Sequence, residues 1–179
     1  MSGLTTGALP CAETGVPPLL LVAVIYRESR FDPDAVSATN VRGIMQLTTG
    51  TAEMLGVDRR NPAQCILGGA RYLRSIWDSL EDRRLPEWDR WYMTLAGYNQ
   101  GPGGLSGATR ISRNLGDSGD SWLELKKAYP QLVNSRGREA VAFVENIRYY
   151  YYLLNGLLVL SPSEMEHLTP LLGAAPFVS

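Results

Sequence analysis

The feature that most constrains this chain is the spacing of its apolar residues, which recur three and four positions apart along most of its length. That interval places them on one face of an α-helix, whereas a half-buried strand needs strict alternation. No alternating run is long enough to specify a strand, so the expected fold is all-α. Pro17 and Pro18 suit a first helical turn, and Pro33 disfavours helix at Asp32, which predicts a helix ending near Arg30. Asn61, Pro62 and Gln64 read as the N-cap, first-turn proline and third-position glutamine of a longer helix. It carries Ile66, Ala70, Leu73, Ile76, Trp77 and Leu80 on one broad face. Gly68 and Gly69 within it cost helix propensity, and a close crossing of another backbone is the expected compensation.

A further helix is expected over residues 86–98, stopping at residues 99–104. The stretch from there to Gly119 is rich in Gly, Ser and Asn and reads as a mobile loop with one short helix. Asp120, Ser121 and Trp122 begin another short helix that Pro130 ends. A long helix over residues 138–154 sets Ala140, Phe143, Val144, Ile147, Tyr151 and Leu154 on one face. The run Tyr149 to Tyr152 presents all sides of it, with core packing expected for at least two and sugar stacking open to the others. Ser161 to Glu164 read as a capping box opening a last short helix. The expected organisation is a lead over 1–14, one domain over 15–160 and a tail over 161–179, with no internal repeat.

With 179 residues and a formal charge of −1, the chain holds one core and no global basic field for nucleic acid or an anionic membrane. The longest apolar run, residues 19–26, is far short of the roughly 20 needed to span a bilayer. No basic residue precedes it closely enough for a signal peptide, and Pro10 argues against lipoprotein cleavage at Cys11. A mature fragment, a catalytic module, or a protein exported by another route is expected. Cys11 and Cys65 fit a disulfide or two separate small core residues. The single histidine, His167, argues against a His-based triad or a multi-histidine metal site, and no metal or cofactor is implied.

Glu28 continues the apolar face of Leu20 and Val24 and sits in the last turn of its helix. Desolvation and the helix dipole both raise the pKa of a carboxylate there, toward the value useful in a general acid. A solvated Glu28 paired with Arg27 or Arg30 fits the same spacing.

The motifs around it are ordered. Glu28-Ser29 is followed by Ser37, by Gly43-Ile44-Met45-Gln46 fifteen residues after Glu28, and by Gly97-Tyr98-Asn99-Gln100-Gly101. This set resembles the lytic transglycosylases of the goose-lysozyme-like superfamily. The segments Asn61 to Leu73, Tyr129 to Leu132 and Arg138 to Ile147 are most similar to the catalytic module of the membrane-bound lytic transglycosylase F family. The resemblance covers about residues 15–155 and does not reach the sensor-like domain which that family carries ahead of its catalytic module. Gly97 stands where alanine is usual, and Thr48 where methionine is frequent.

The resemblance implies a lysozyme-like helical domain with a substrate cleft and, as partner, the glycan strands of peptidoglycan. Glu28 would protonate the bond between N-acetylmuramic acid and N-acetylglucosamine. It would then take the proton from the C6 hydroxyl that attacks C1, leaving a 1,6-anhydro end. Two carboxylates are usual in glycosidases; here the substrate acetamido group is thought to stabilise the positive charge. Ser37 and Gln46 match sugar-contacting positions, with turn or cap duty as the other reading. Met45 fits the cleft lining or the core, and Tyr98 the orientation of Glu28 or the acetamido group. Asn99 fits the loop after the helix, and Glu139 either the cleft or a first-turn acid. A water-delivering muramidase and an idle peptidoglycan-binding scaffold are the alternatives. The substrate places the protein in the cell envelope, in the periplasm by expectation, and a monomer is assumed.

Overall fold

Local capping chemistry sets the helix boundaries. In the computed structural model, which describes residues 10–132 and 137–159, α1 spans Pro10–Thr14 and α2 spans Pro18–Ser29. Arg30 closes α2 in the left-handed conformation (φ 53°). α3 (Thr49–Leu55) starts at Thr48, whose hydroxyl accepts the Thr51 N–H at 3.1 Å. α4 (Pro62–Asp78) starts at Asn61, whose side chain accepts the Gln64 N–H at 3.1 Å. The Gln64 side chain does not reach back to Asn61. Its oxygen accepts the Asp58 N–H at 2.9 Å and ties down the preceding turn.

A 3-10 turn at Glu81–Arg83 leads to α5 (Glu87–Asn114), then α6 (Trp122–Ala128), a 3-10 turn at Tyr129–Gln131, and α7 (Gly137–Leu158). Extended pairing among the described residues is limited to isolated bridges between Val36 and Arg42 and between Arg42 and Leu47. The fold is all-α, as expected. The predicted capping box at residues 161–164 lies outside the described residues.

One expectation fails. The helix over 86–98 does not stop at Asn99 but continues to Asn114, broken only at Gly101 (φ 76°, ψ 165°) just before Pro102. The stretch read as a loop carries its own buried stripe, Leu105, Ala108 and Ser112, at helical spacing. Gly103, Gly104 and Gly107 each cost about 1 kcal/mol of propensity relative to alanine. Burying Leu105 alone returns about 2 kcal/mol, so packing decides the outcome.

The first half of α5 is the centre of the molecule. Met93, Thr94, Leu95, Ala96, Gly97 and Tyr98 are all buried, leaving that part of the helix no solvent face. It packs on α4, α6 and α7, while α2 lies along α7. The core gathers Leu20 and Val24 of α2, Leu73 and Ile76 of α4, Leu125 of α6, and Phe143 and Ile147 of α7. On α7, Tyr150 packs edge-on against Tyr26 and Tyr151 against Trp88, each with ring centroids 4.9 Å apart, while Tyr149 and Tyr152 face solvent.

The close approach expected at Gly68 and Gly69 exists, but side chains make it rather than a crossing backbone. A Cβ at Gly68 would lie 2.8 Å from Val57 Cγ2, and one at Gly69 would lie 3.0 Å from Met45 Cβ. Within the N-terminal lead, α1 is joined to α4 by an ion pair between Glu13 and Arg71 at 2.6 Å. Cys11 and Cys65 are both free thiols, Cys65 buried and Cys11 half-buried.

Candidate active site

Glu28 occupies the last turn of α2, where the left-handed Arg30 ends the helix and turns the chain toward Phe31. Its side chain keeps a partly accessible edge, yet enough protein surrounds the carboxyl to push its pKa from 4.5 up to about 8. Burial is the main cause; the Arg27 charge pulls the other way, and Glu139 adds a smaller push upward. A carboxyl with such a pKa is protonated at neutral pH and is ready to act as a general acid. Arg27 does not neutralise Glu28 by a direct ion pair; its guanidinium lies over the Phe143 ring, 5.6 Å from the centroid.

Residues 35–47 form an irregular loop held by side chains. Gly43 adopts φ 83°, and any Cβ there would collide with the Arg59 carbonyl, so the glycine is required. Gln46, also left-handed (φ 48°), donates from its amide nitrogen to the carbonyls of Ala35 (3.1 Å) and Gly43 (2.9 Å). Its turn duty is therefore real, and its amide oxygen is the atom left for a ligand. Arg59, which the sequence reading did not single out, donates to the carbonyls of Asn40 and Leu47 at 3.1 Å each. No motif flags it; only the partners assembled around it by the fold reveal the role. Ser37 Oγ accepts the Val41 N–H at 3.1 Å and lies 3.1 Å from Thr39 Oγ1, on the accessible side of the same loop.

Met45 falls on the core side of its two readings. Its side chain is fully buried, packed over Gly69. Its carbonyl instead serves the site, accepting the Tyr98 hydroxyl at 2.8 Å. That bond joins the loop to the central helix across 53 residues of sequence. Tyr98 is buried, lies parallel to Phe143 at 6.5 Å, and touches Tyr72 at 5.4 Å. Burial, with the Glu28 charge next in importance, raises its pKa well above 10, so it stays a neutral donor. The Tyr98 hydroxyl is thus close enough to Glu28 to feel its charge, but its hydrogen bond positions the loop.

Asn99 lies within α5 rather than in a loop after it; it is half-buried, and its side-chain oxygen accepts from Gln100 at 2.7 Å. Glu139 is exposed in the first turn of α7, and its charge reaches Glu28. The structure therefore gathers Glu28, Tyr98 and Glu139 from three helices, and Ser37, Met45 and Gln46 on the loop tied to Tyr98. Among the described residues no group of His, Cys, Asp and Glu side chains could hold a metal ion.

The family described as Transglycosylase SLT domain matches residues 11–120. Membrane-bound lytic murein transglycosylase F 2 of Alkalilimnicola ehrlichii is 45% identical over 151 residues, covering 78% of this chain and 33% of the relative. Membrane-bound lytic murein transglycosylase F of Thiobacillus denitrificans is 44% identical over 153 residues, 79% of this chain and 32% of that protein. The chain thus spans about a third of the length of these curated relatives. Among solved structures, an inactive mutant of lytic transglycosylase Slt from Pseudomonas aeruginosa superposes over 83% of this chain and 23% of its own, with a TM-score of 0.62 at 21% identity. That likeness shows the fold: a lysozyme-like arrangement of helices.

Proposed function

The chain belongs to the SLT-domain transglycosylase family, and from that premise we propose that it is a lytic transglycosylase in which Glu28 is both acid and base. The substrate is the β-1,4 bond between N-acetylmuramic acid and N-acetylglucosamine in peptidoglycan, and the product carries a 1,6-anhydro end. The observation that carries this reading is the protonated, largely enclosed Glu28 at the end of α2. As an acid it gives its proton to the leaving oxygen. The resulting carboxylate, with Arg27 nearby to favour its charge, then takes the C6 hydroxyl proton. Gln46 and Ser37 offer an amide oxygen and a hydroxyl to the sugar, and Asn99 a side chain beside the kink of α5. Tyr98 acts through the loop it holds. Peptidoglycan as partner places the working site in the cell envelope, by inference the periplasm. No helix of the described residues is long and apolar enough to cross a membrane.

Glu139 is a second carboxylate whose charge reaches Glu28, which makes water delivery by a muramidase the competing chemistry. Mass spectrometry of digested sacculi separates the two. Anhydro ends are expected; reducing ends alone would overturn the transglycosylase assignment. Glu28→Gln should lower release of soluble fragments by about a thousandfold, the scale of general acid–base catalysis. Unchanged release would remove Glu28 from the mechanism.

The same variant tests the pKa. A glutamate whose folded pKa lies above its unfolded value loses stability as pH rises from about 4.5 toward 8. Glu28→Gln should therefore melt higher than the parent at pH 7, by about 2 kcal/mol, and equally below pH 4. Equal melting at both pH values would show that the carboxyl is already ionised at neutrality.

A further inference from the structure

A cavity of about 700 Å³ lies between the C-terminal end of α4, the Glu81–Arg83 turn and the second half of α5. Ile76, Leu80 and Leu105 supply its apolar surface, three arginines line it, and no aspartate or glutamate does. Arg110 and Arg113 are one turn apart on the exposed face of α5, and Arg83 comes from the neighbouring turn. Arg83 is held in place: it donates to the Asp120 carboxylate at 2.6 Å and to the Gly119 carbonyl. Arg113 is steadied by a bond from Nε to the Ser118 carbonyl at 3.1 Å. Neither Arg110 nor Arg113 has an acidic partner among the described residues. The cavity is not the Glu28 site. Met45 and its loop pack on α4 at Gly69, and Ile76 and Leu80 lie two to three turns further along, about 10–16 Å away.

The lining discriminates among ligands. A small inorganic anion would satisfy the guanidinium groups but leave the apolar surface against water. A neutral sugar would leave the arginines uncompensated. Nucleic acid needs an extended basic field, which a chain of net charge −1 does not provide. We propose that this cavity binds a short acidic peptide, its carboxylates on Arg83, Arg110 and Arg113 and its small aliphatic side chains on Ile76, Leu80 and Leu105. Guanidinium matches carboxylate geometry in a two-pronged pair. The volume falls within the usual range of small-ligand sites, about 300–1,000 Å³. The proposal is independent of the lytic reading, because its readout is binding without turnover.

Calorimetric titration of the whole protein tests it with three probes: the acetylated peptide Ala-Glu-Ala-Glu, the matched Ala-Gln-Ala-Gln peptide, and inorganic phosphate. The acidic peptide should bind, and loss of its charged hydrogen bonds in the glutamine peptide should weaken binding about tenfold or more. Arg110→Ala should cost about tenfold with an unchanged melting temperature, since Arg110 is exposed on its helix. Arg110→Lys should recover part of that loss by keeping the charge. Equal binding of the glutamine peptide, or no effect of Arg110→Ala, overturns the assignment. Phosphate that binds as tightly and displaces the peptide reduces the cavity to a simple anion site and overturns it as well.

Discussion

Two stretches flank Tyr98, and both look like loops in the sequence, yet they are held in opposite ways. Residues 35–47 have almost no regular structure, so their backbone groups depend on partners from elsewhere. Gln46 and Arg59 between them donate to the carbonyls of Ala35, Gly43, Asn40 and Leu47. The second half of α5 is glycine-rich but satisfies its own backbone, and Leu105 and Ala108 anchor it in the core. A loop built on specific polar bonds places side chains such as Ser37 and Gln46 toward a ligand. A helix held by packing supplies a stiff support and tolerates a varied outer face, on which Arg110 and Arg113 sit.

Substitutions measured by urea unfolding can break that contrast. Gly43→Ala should have the largest effect, about 3–4 kcal/mol, because a positive φ and a clash with the Arg59 carbonyl act together. A loss under about 1 kcal/mol would mean that the loop yields. Leu105→Ala should cost about 3 kcal/mol as a cavity in a packed site; a negligible loss would show that α5 stands on local propensity alone. Gln46→Ala should cost about 1–2 kcal/mol by leaving two carbonyls short of a donor. Its activity should fall more than its stability, and proportionate losses would argue for a purely structural role. Gly97→Ala should be smallest. Its gain in helix propensity, about 1 kcal/mol, is opposed by a new Cβ 3.1 Å from Ile76 Cγ2, for a net change within about 0.5 kcal/mol.

Much of this protein was legible residue by residue. The caps at Asn61 and Ser121 and the proline start of α2 are where their spacing predicts, because such signals act within one turn of the chain. Glu28 was visible as a carboxylate on an apolar helical face, and the structure encloses it as expected. The stretch from residue 102 to 114 misled because glycine content reports the cost of a helix and not the burial that offsets it. Gly69 was read as contacting a backbone, and the side chain of Met45 is there instead. Met45 itself had two fair readings, and only its complete burial separated them.

The sequence by itself determined the helical class, the position of Glu28 at a helix end, and the turn that needs glycine at position 43. Each follows from conformational preferences or spacing that operate over a few residues. Tertiary structure alone decided that Tyr98 would hold the loop through the Met45 carbonyl, that Glu139 would reach Glu28, and that Arg83 would join Arg110 and Arg113 at one cavity. Those meetings join residues 26 or more positions apart in the chain. Nothing local encodes them. They arise because packing α4, α5 and α7 into one core leaves each helix a single orientation that buries its apolar face.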